Sequence, residues 1–222
     1  MVWWSHLSAL GGLNVTALLA VFIAAWLVAS RCWRLALAWC ALFCGAMLVA
    51  AMTQMAFIGW GVGIESLSFT GFSGHATRAA AVFPVALFLL VERERSRVRN
   101  IAVGLGIVLG AGVAIARVKV GAHSPSEALA GCLLGLLAAG LFMVRARAAR
   151  SFSPQPLLVG LLAATMLLPR ADPVNSHQWL TAAALKMSGR DRVYLRHEWR
   201  PAHGPYVPPC TPDRVRFDYL CT

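Results

Sequence analysis

Long apolar runs broken by short polar islands dominate the chain, and the runs, not the islands, set the architecture. A membrane-crossing helix needs about 20 predominantly apolar residues, somewhat fewer when it is buried among neighbours. Six stretches approach that length: residues 13–30, 35–60, 75–91, 101–117, 125–144 and 155–169, the last being the shortest. The pattern predicts an all-α integral membrane protein, a six-transmembrane-helix bundle occupying residues 1–169. After Pro169 the composition turns polar and proline-rich, with no run long enough to span. Residues 170–222 therefore read as a small extracytoplasmic C-terminal tail or subdomain, with a short helix near His177–Met187.

Composition agrees, with 59% hydrophobic residues and a mean hydropathy of +0.66 over 222 residues. The net charge of +11 changes the picture only through its placement. Arg31 and Arg34 share one connection, Arg93, Arg95, Arg97 and Arg99 another, and Arg145, Arg147 and Arg150 a third. These are alternate connections, so the positive-inside rule puts all three in the cytoplasm. The charge is thus a topology signal, and nucleic acid is not expected as a partner. The amino terminus then faces outward, with Trp3 and Trp4 at the bilayer interface. No charged leader with a small-residue cleavage site precedes the first run, so no removed signal peptide is expected.

Cys32, Cys40, Cys44 and Cys132 fall in or beside spans and read as small buried residues. Cys210 and Cys221 lie in the tail, on the oxidising side of the membrane, and are expected to form a disulfide. His177, His197 and His203 share that side, but their spacing matches no common metal site. The tail arginines from Arg190 to Arg216 read as a solvated surface; attraction to acidic lipid or a cover over the site are the other readings.

Two polar islands carry the candidate chemistry, Thr70–Arg78 and Ala116–Glu127, and the topology brings both to the outer face. A helix starting near Ser124-Pro125 would hold His123 at its mouth and Glu127 about one turn inside, within reach of the imidazole. Arg117 offers a planar fork suited to phosphate oxygens. Ser73 and Gly74 open the third span, where a hydroxyl and free N–H groups can meet an anion. Arg78 lies one turn below His75, where an unpaired cation in a bilayer is costly; pairing with Glu65 is the structural alternative.

Phe72-Ser73-Gly74-His75, followed by Ala116-Arg117, five residues, His123, three residues and Glu127, resembles the type 2 phosphatidic acid phosphatase superfamily of membrane lipid phosphatases. The family pattern reads Pro-Ser-Gly-His, then Ser-Arg, five residues, His, three residues, Asp. Phe72, Ala116 and Glu127 depart from it, and the spacing of the last part is intact. The family's first motif, a Lys six residues ahead of Arg-Pro, is missing, since no Lys precedes Lys119. Gln54 falls near the place of that Lys, and Arg78, then Lys119, are the candidate replacements.

The resemblance implies a metal-independent hydrolase without cofactor. His123 would be the nucleophile, forming a phosphohistidine. Glu127 would orient it, and His75 would serve as acid and then base. Arg117, Ser73, Gly74, Arg78 and Lys119 would bind phosphate. The implied substrate is a phospholipid or isoprenoid lipid phosphate or diphosphate, such as undecaprenyl diphosphate, phosphatidylglycerol phosphate or phosphatidate. It would be met at the outer face of a membrane, the bacterial inner membrane being the expected one with the site towards the periplasm. A phosphotransferase acting on another lipid such as lipid A, and an inactive lipid-binding relative, are the alternatives. No protein partner is indicated.

Overall fold

The computed structural model describes residues 2–91, 96–147 and 176–196. They form seven α-helices: α1 (Val2–Ala9), α2 (Leu13–Ala29), α3 (Trp33–Trp60), α4 (Gly74–Leu90), α5 (Ser96–Lys119), α6 (Pro125–Arg147) and α7 (Ser176–Ser188). A single 3-10 turn, Glu65–Leu67, interrupts the connection from α3 to α4. An isolated antiparallel bridge between Ile64 and Phe69 closes that turn into a compact loop.

Four stretches are long and apolar enough to cross a membrane: Trp3–Ala29, taken across the break at residues 10–12, Trp33–Trp60, Ser96–Lys119 and Pro125–Arg147. Large aliphatic side chains on them face outward, among them Leu37, Leu48, Leu105, Val108, Leu133 and Leu137. Such a surface suits lipid, which solvates apolar side chains as well as a protein interior does. The expected third span is the shorter helix α4, with 17 residues. It is also the helix most enclosed by its neighbours, with Val82, Val85 and Phe88 fully buried. The expected sixth span at 155–169 and the Cys210–Cys221 pair lie outside the described residues. The short helix expected near His177–Met187 is α7. Of the four cysteines placed in or beside spans, Cys132 is buried, Cys32 half-buried, and Cys40 and Cys44 exposed.

Glycines explain how α4 comes to be enclosed. On α5, a Cβ at Gly106 would meet Pro84 Cα at 2.5 Å, and one at Gly110 would meet Ala80 Cα at 2.8 Å. On α6, a Cβ at Gly131 would meet the Ser73 carbonyl oxygen at 2.6 Å, and Gly135 lies as tightly against Thr77. Small residues at these crossings let backbones approach closely, the way helices gain packing energy in lipid. Towards the other end, Ile23, Leu27, Trp39, Phe88 and Phe142 fill the space between α2, α3, α4 and α6. Trp39 Nε1 donates to the Ala20 carbonyl at 2.9 Å, and its ring meets Phe142 edge-on. The consequence for function is positional: the amino-terminal end of α4 is wedged between α5 and α6, beside the loop that joins them.

Candidate active site

The site begins with a helix start. Ser124-Pro125-Ser126-Glu127 forms a capping box at the head of α6: Glu127 N–H donates to Ser124 Oγ at 3.3 Å, and Ser124 N–H donates to Glu127 Oε2 at 3.0 Å. Pro125 occupies the first helical position, where its missing N–H costs nothing. The box fixes the Glu127 side chain by its own backbone. His123, one residue ahead of the cap, then donates from Nδ1 to Glu127 Oε2 at 2.9 Å. With the proton on Nδ1, the Nε2 lone pair points away from the carboxylate. Burial holds His123 below the ordinary imidazole range, and Arg117 and Arg196 push the same way, while the hydrogen bond and charge of Glu127 oppose them.

Glu127 is fully buried and heavily solvated by protein. Its Oε1 accepts from Thr70 N–H at 2.7 Å and from the Thr70 hydroxyl. Its Oε2 also accepts from Arg196 at 2.6 Å. Five donors therefore converge on one carboxylate. Such a network is what allows a charged group to be buried at all.

The second island meets the first through the backbone, with Ser73 N–H donating to the Glu127 carbonyl at 3.2 Å. Ser73 is the N-cap residue of α4, yet its hydroxyl makes no cap bond, and Ser73 Oγ is buried without a hydrogen-bond partner among the described residues. This contrasts with Ser124, whose hydroxyl is consumed by its own helix. A buried hydroxyl left unmatched costs about 1–3 kcal/mol, so its retention points to a ligand that completes it. Gly74 and His75 follow in the first turn, where backbone N–H groups lack helical acceptors.

Arg78 donates from Nε and Nη2 to the Gly11 carbonyl at 3.4 and 3.3 Å, and from Nη2 to His75 Nδ1 at 3.3 Å. Its Nη1 lies beside Gly74, as does Gln54 Nε2, which donates to the Phe72 carbonyl at 2.6 Å. Glu65 is not its partner: among the described residues Arg78 has no carboxylate contact. Arg117 is 1% exposed and reaches Ser8 Oγ at 3.2 Å. Arg78, Arg117 and His123 all lie within electrostatic range of the His75 ring. Of the expected site residues, the structure thus gathers His75, His123, Glu127, Arg117, Ser73, Gly74 and Arg78. Lys119 stands apart, exposed on the last turn of α5 and without a side-chain hydrogen bond among the described residues.

Several contributors were not singled out from sequence. Ser8 and Gly11 come from α1 and the turn after it, and Thr70 from the loop before α4. Arg196 comes from the segment after α7. Among the described residues no group of three or more His, Cys, Asp or Glu gathers in a way that would hold a metal ion.

Residues 52–151, which contain both islands and the helices that carry them, match the PAP2 superfamily. This segment belongs to the PAP2 superfamily. A curated relative from Klebsiella pneumoniae, described as an uncharacterized 22.5 kDa protein in the cps region, is 44% identical over 110 residues. That alignment covers 50% of this chain and 53% of the relative, so the chain spans about half the length of the curated relative it matches. No solved structure matches the chain at a significant level. The PAP2 segment begins at Met52, so α1, Ser8 and Gly11 lie outside it on one side and Arg196 on the other.

Proposed function

We propose that the protein removes phosphate from a lipid phosphate or diphosphate at the outer face of a membrane, through a phosphohistidine on His123 and without a metal. The observation that carries this reading is the His123–Glu127 pair, in which Nδ1–H is donated to a buried carboxylate and Nε2 is left as the nucleophile. The chain supplies the rest of the chemistry from residues already in place.

In the first step the Nε2 lone pair bonds to phosphorus while the bond from phosphorus to the lipid oxygen breaks. The ring, still protonated at Nδ1, becomes positive, and Glu127 balances it. Arg78 and Arg117 take the phosphoryl oxygens, joined by Ser73 Oγ and the N–H groups at the head of α4. Arg78, a buried cation with no carboxylate contact among the described residues, is completed by a phosphate in a way that no described residue achieves. His75 delivers a proton to the departing oxygen. It is neutral while Arg78 donates to Nδ1, and it takes a second proton from water once a phosphate draws the guanidinium onto itself. In the second step His75 accepts a proton from water, whose oxygen attacks phosphorus and frees the Nε2 of His123.

In this reading the arginine-bearing connections are cytoplasmic by the positive-inside rule, and the site end of the helices faces outward. The headgroup enters from the interface while the acyl or isoprenoid chains stay in lipid. Undecaprenyl diphosphate, phosphatidylglycerol phosphate and phosphatidate all present the required group. The test is phosphate release from each lipid by detergent-purified protein with chelator present, comparing wild type with His123→Ala. Chelator-resistant release lost in the variant is expected. Release that persists in His123→Ala, or that depends on added metal, would sink the reading.

A further inference from the structure

Arg196 reaches the site from a stretch that reads in sequence as solvated tail, and the route it takes is anchored at every turn. Helix α7 packs on the end of α3, where a Cβ at Gly59 would meet the Ala184 carbonyl oxygen at 3.1 Å. The chain then runs back across that end. Tyr194 N–H donates to the Ile58 carbonyl at 2.9 Å, adding an acceptor's match at a helix terminus that has carbonyls to spare. The Tyr194 ring lies against Gly61, whose φ of +70° and lack of a Cβ make the contact possible. Arg190 stacks over that ring, its guanidinium carbon 3.8 Å from the centroid. Two residues beyond this anchor, Arg196 donates to Glu127 Oε2 at 2.6 Å and to Thr70 Oγ1 at 3.5 Å. Oε2 is the oxygen that also accepts from His123 Nδ1.

We propose that Arg196 is a positioning residue of the catalytic site, carried by the 189–196 strap to Glu127, where it locks the carboxylate and offsets its charge so that His123 presents an unprotonated Nε2. The inference rests on the phosphohistidine reading given above. It follows from the shared oxygen. A lone buried glutamate would pull a second proton onto the imidazole, and a protonated Nε2 cannot attack phosphorus. A guanidinium on the same oxygen weakens that pull while leaving the Nδ1 hydrogen bond intact.

The other charges around the ring do not substitute for it. Glu127 faces His123 from α6 and Arg117 from α5. His75 faces it from α4 with Arg78 behind, and His177 on α7 lies within range of Arg117. Arg196 is the cation among these that shares the Glu127 oxygen with His123. At 33% side-chain exposure it is more accessible than His123 at 15% and Glu127 at 0%.

The test titrates His123 directly. Protein labelled with 15N-histidine is followed by NMR in detergent across pH, with His123 assigned by the signal lost in His123→Gln. Arg196→Ala and Arg196→Gln should move the His123 midpoint to higher pH, and Arg196→Lys should return it towards wild type. Tyr194→Ala, which loosens the strap by removing the ring contacts with Gly61 and Arg190 while keeping the backbone bond to Ile58, should shift the midpoint in the same direction. In turnover, the acid limb of kcat/KM in Arg196→Ala should move upward in step. Its kcat on that limb should fall about tenfold with little change in KM, the scale of losing a residue that supports a directly acting one. A His123 titration that overlays wild type in Arg196→Ala and Arg196→Gln would overturn the proposal, as would a variant with higher turnover and an unmoved limb. The NMR readout needs no substrate. A protein that released phosphate from no lipid would therefore fail the functional reading while this measurement still decided the role of Arg196.

Discussion

Replacing Glu127 by Gln keeps its shape and removes one capability, that of accepting on both oxygens. Three donors meet Oε2, from His123, Ser124 and Arg196, and two meet Oε1, both from Thr70. An amide offers one oxygen. If that oxygen takes the Oε2 place, the NH2 faces Thr70 N–H, donor against donor. If it takes the Oε1 place, the NH2 donates to His123 Nδ1, the proton moves to Nε2, and the nucleophile is lost. Either arrangement also leaves the phosphoimidazolium without a counter-charge.

A tautomer fault of this kind costs about 10⁴ in kcat in the worked case of a serine-protease triad. That corresponds to about 5.5 kcal/mol at 1.36 kcal/mol per decade. The prediction is a loss of 10³ to 10⁴ in kcat for Glu127→Gln, on the order of that precedent. Chelator-resistant phosphate release would be measured beside gel filtration and a melting curve, so that loss of fold is separated from loss of chemistry. A folded Glu127→Gln protein within about tenfold of wild-type kcat would refute the argument that this carboxylate sets the tautomer.

Four further outcomes follow from the same geometry. Ser73→Ala should raise KM for a lipid phosphate while leaving the melting temperature unchanged or slightly higher, because Ser73 Oγ has no partner to lose among the described residues. Gly131→Val should unfold or inactivate the protein, since even a Cβ there would stand 2.6 Å from the Ser73 oxygen, and overpacking of this kind costs about 1–3 kcal/mol; wild-type melting and activity would contradict it. Arg78→Ala should reduce kcat/KM at least a hundredfold, whereas Arg145→Ala, an exposed residue bonded to its own helix at Leu141, should leave it within about twofold; equal effects would remove Arg78 from the site. Because the folded protein holds His123 below its ordinary 6.5, the group stays neutral as pH falls through that value, and the acid limb of kcat/KM for wild type should lie below pH 6.5; a limb at or above that pH would contradict the assignment.

Much of the fold could be read from the runs of apolar residues, because a span must be long and must satisfy its own backbone. The expected 35–60 and 125–144 stretches became Trp33–Trp60 and Pro125–Arg147, with edges moved by a few residues where polar side chains extend a helix beyond its apolar part. The His123–Glu127 contact was legible for a different reason: it is local, set by Ser-Pro at a helix start and one turn of spacing. What escaped was tertiary. Nothing in the sequence around Ser8 or Gly11 distinguishes them, and they matter only because α1 folds back on α5 and lays the Gly11 carbonyl on Arg78. The Glu65 pairing for Arg78 looked reasonable by proximity along the loop, but Arg78 points to the Gly11 carbonyl and His75 instead. Arg196 was hidden by its surroundings, since a polar, proline-rich tail carries no periodicity to show which of its arginines is anchored.

The phosphoenzyme tests the central claim most directly. Wild-type protein in detergent would be mixed with a lipid bearing labelled phosphate, quenched within one turnover in alkali, and the label located by peptide mapping. The account predicts label on the peptide containing His123, stable to alkali and lost in acid, and absent from His123→Ala. Label on a serine or carboxylate, or turnover with no labelled protein at any quench time, would contradict it.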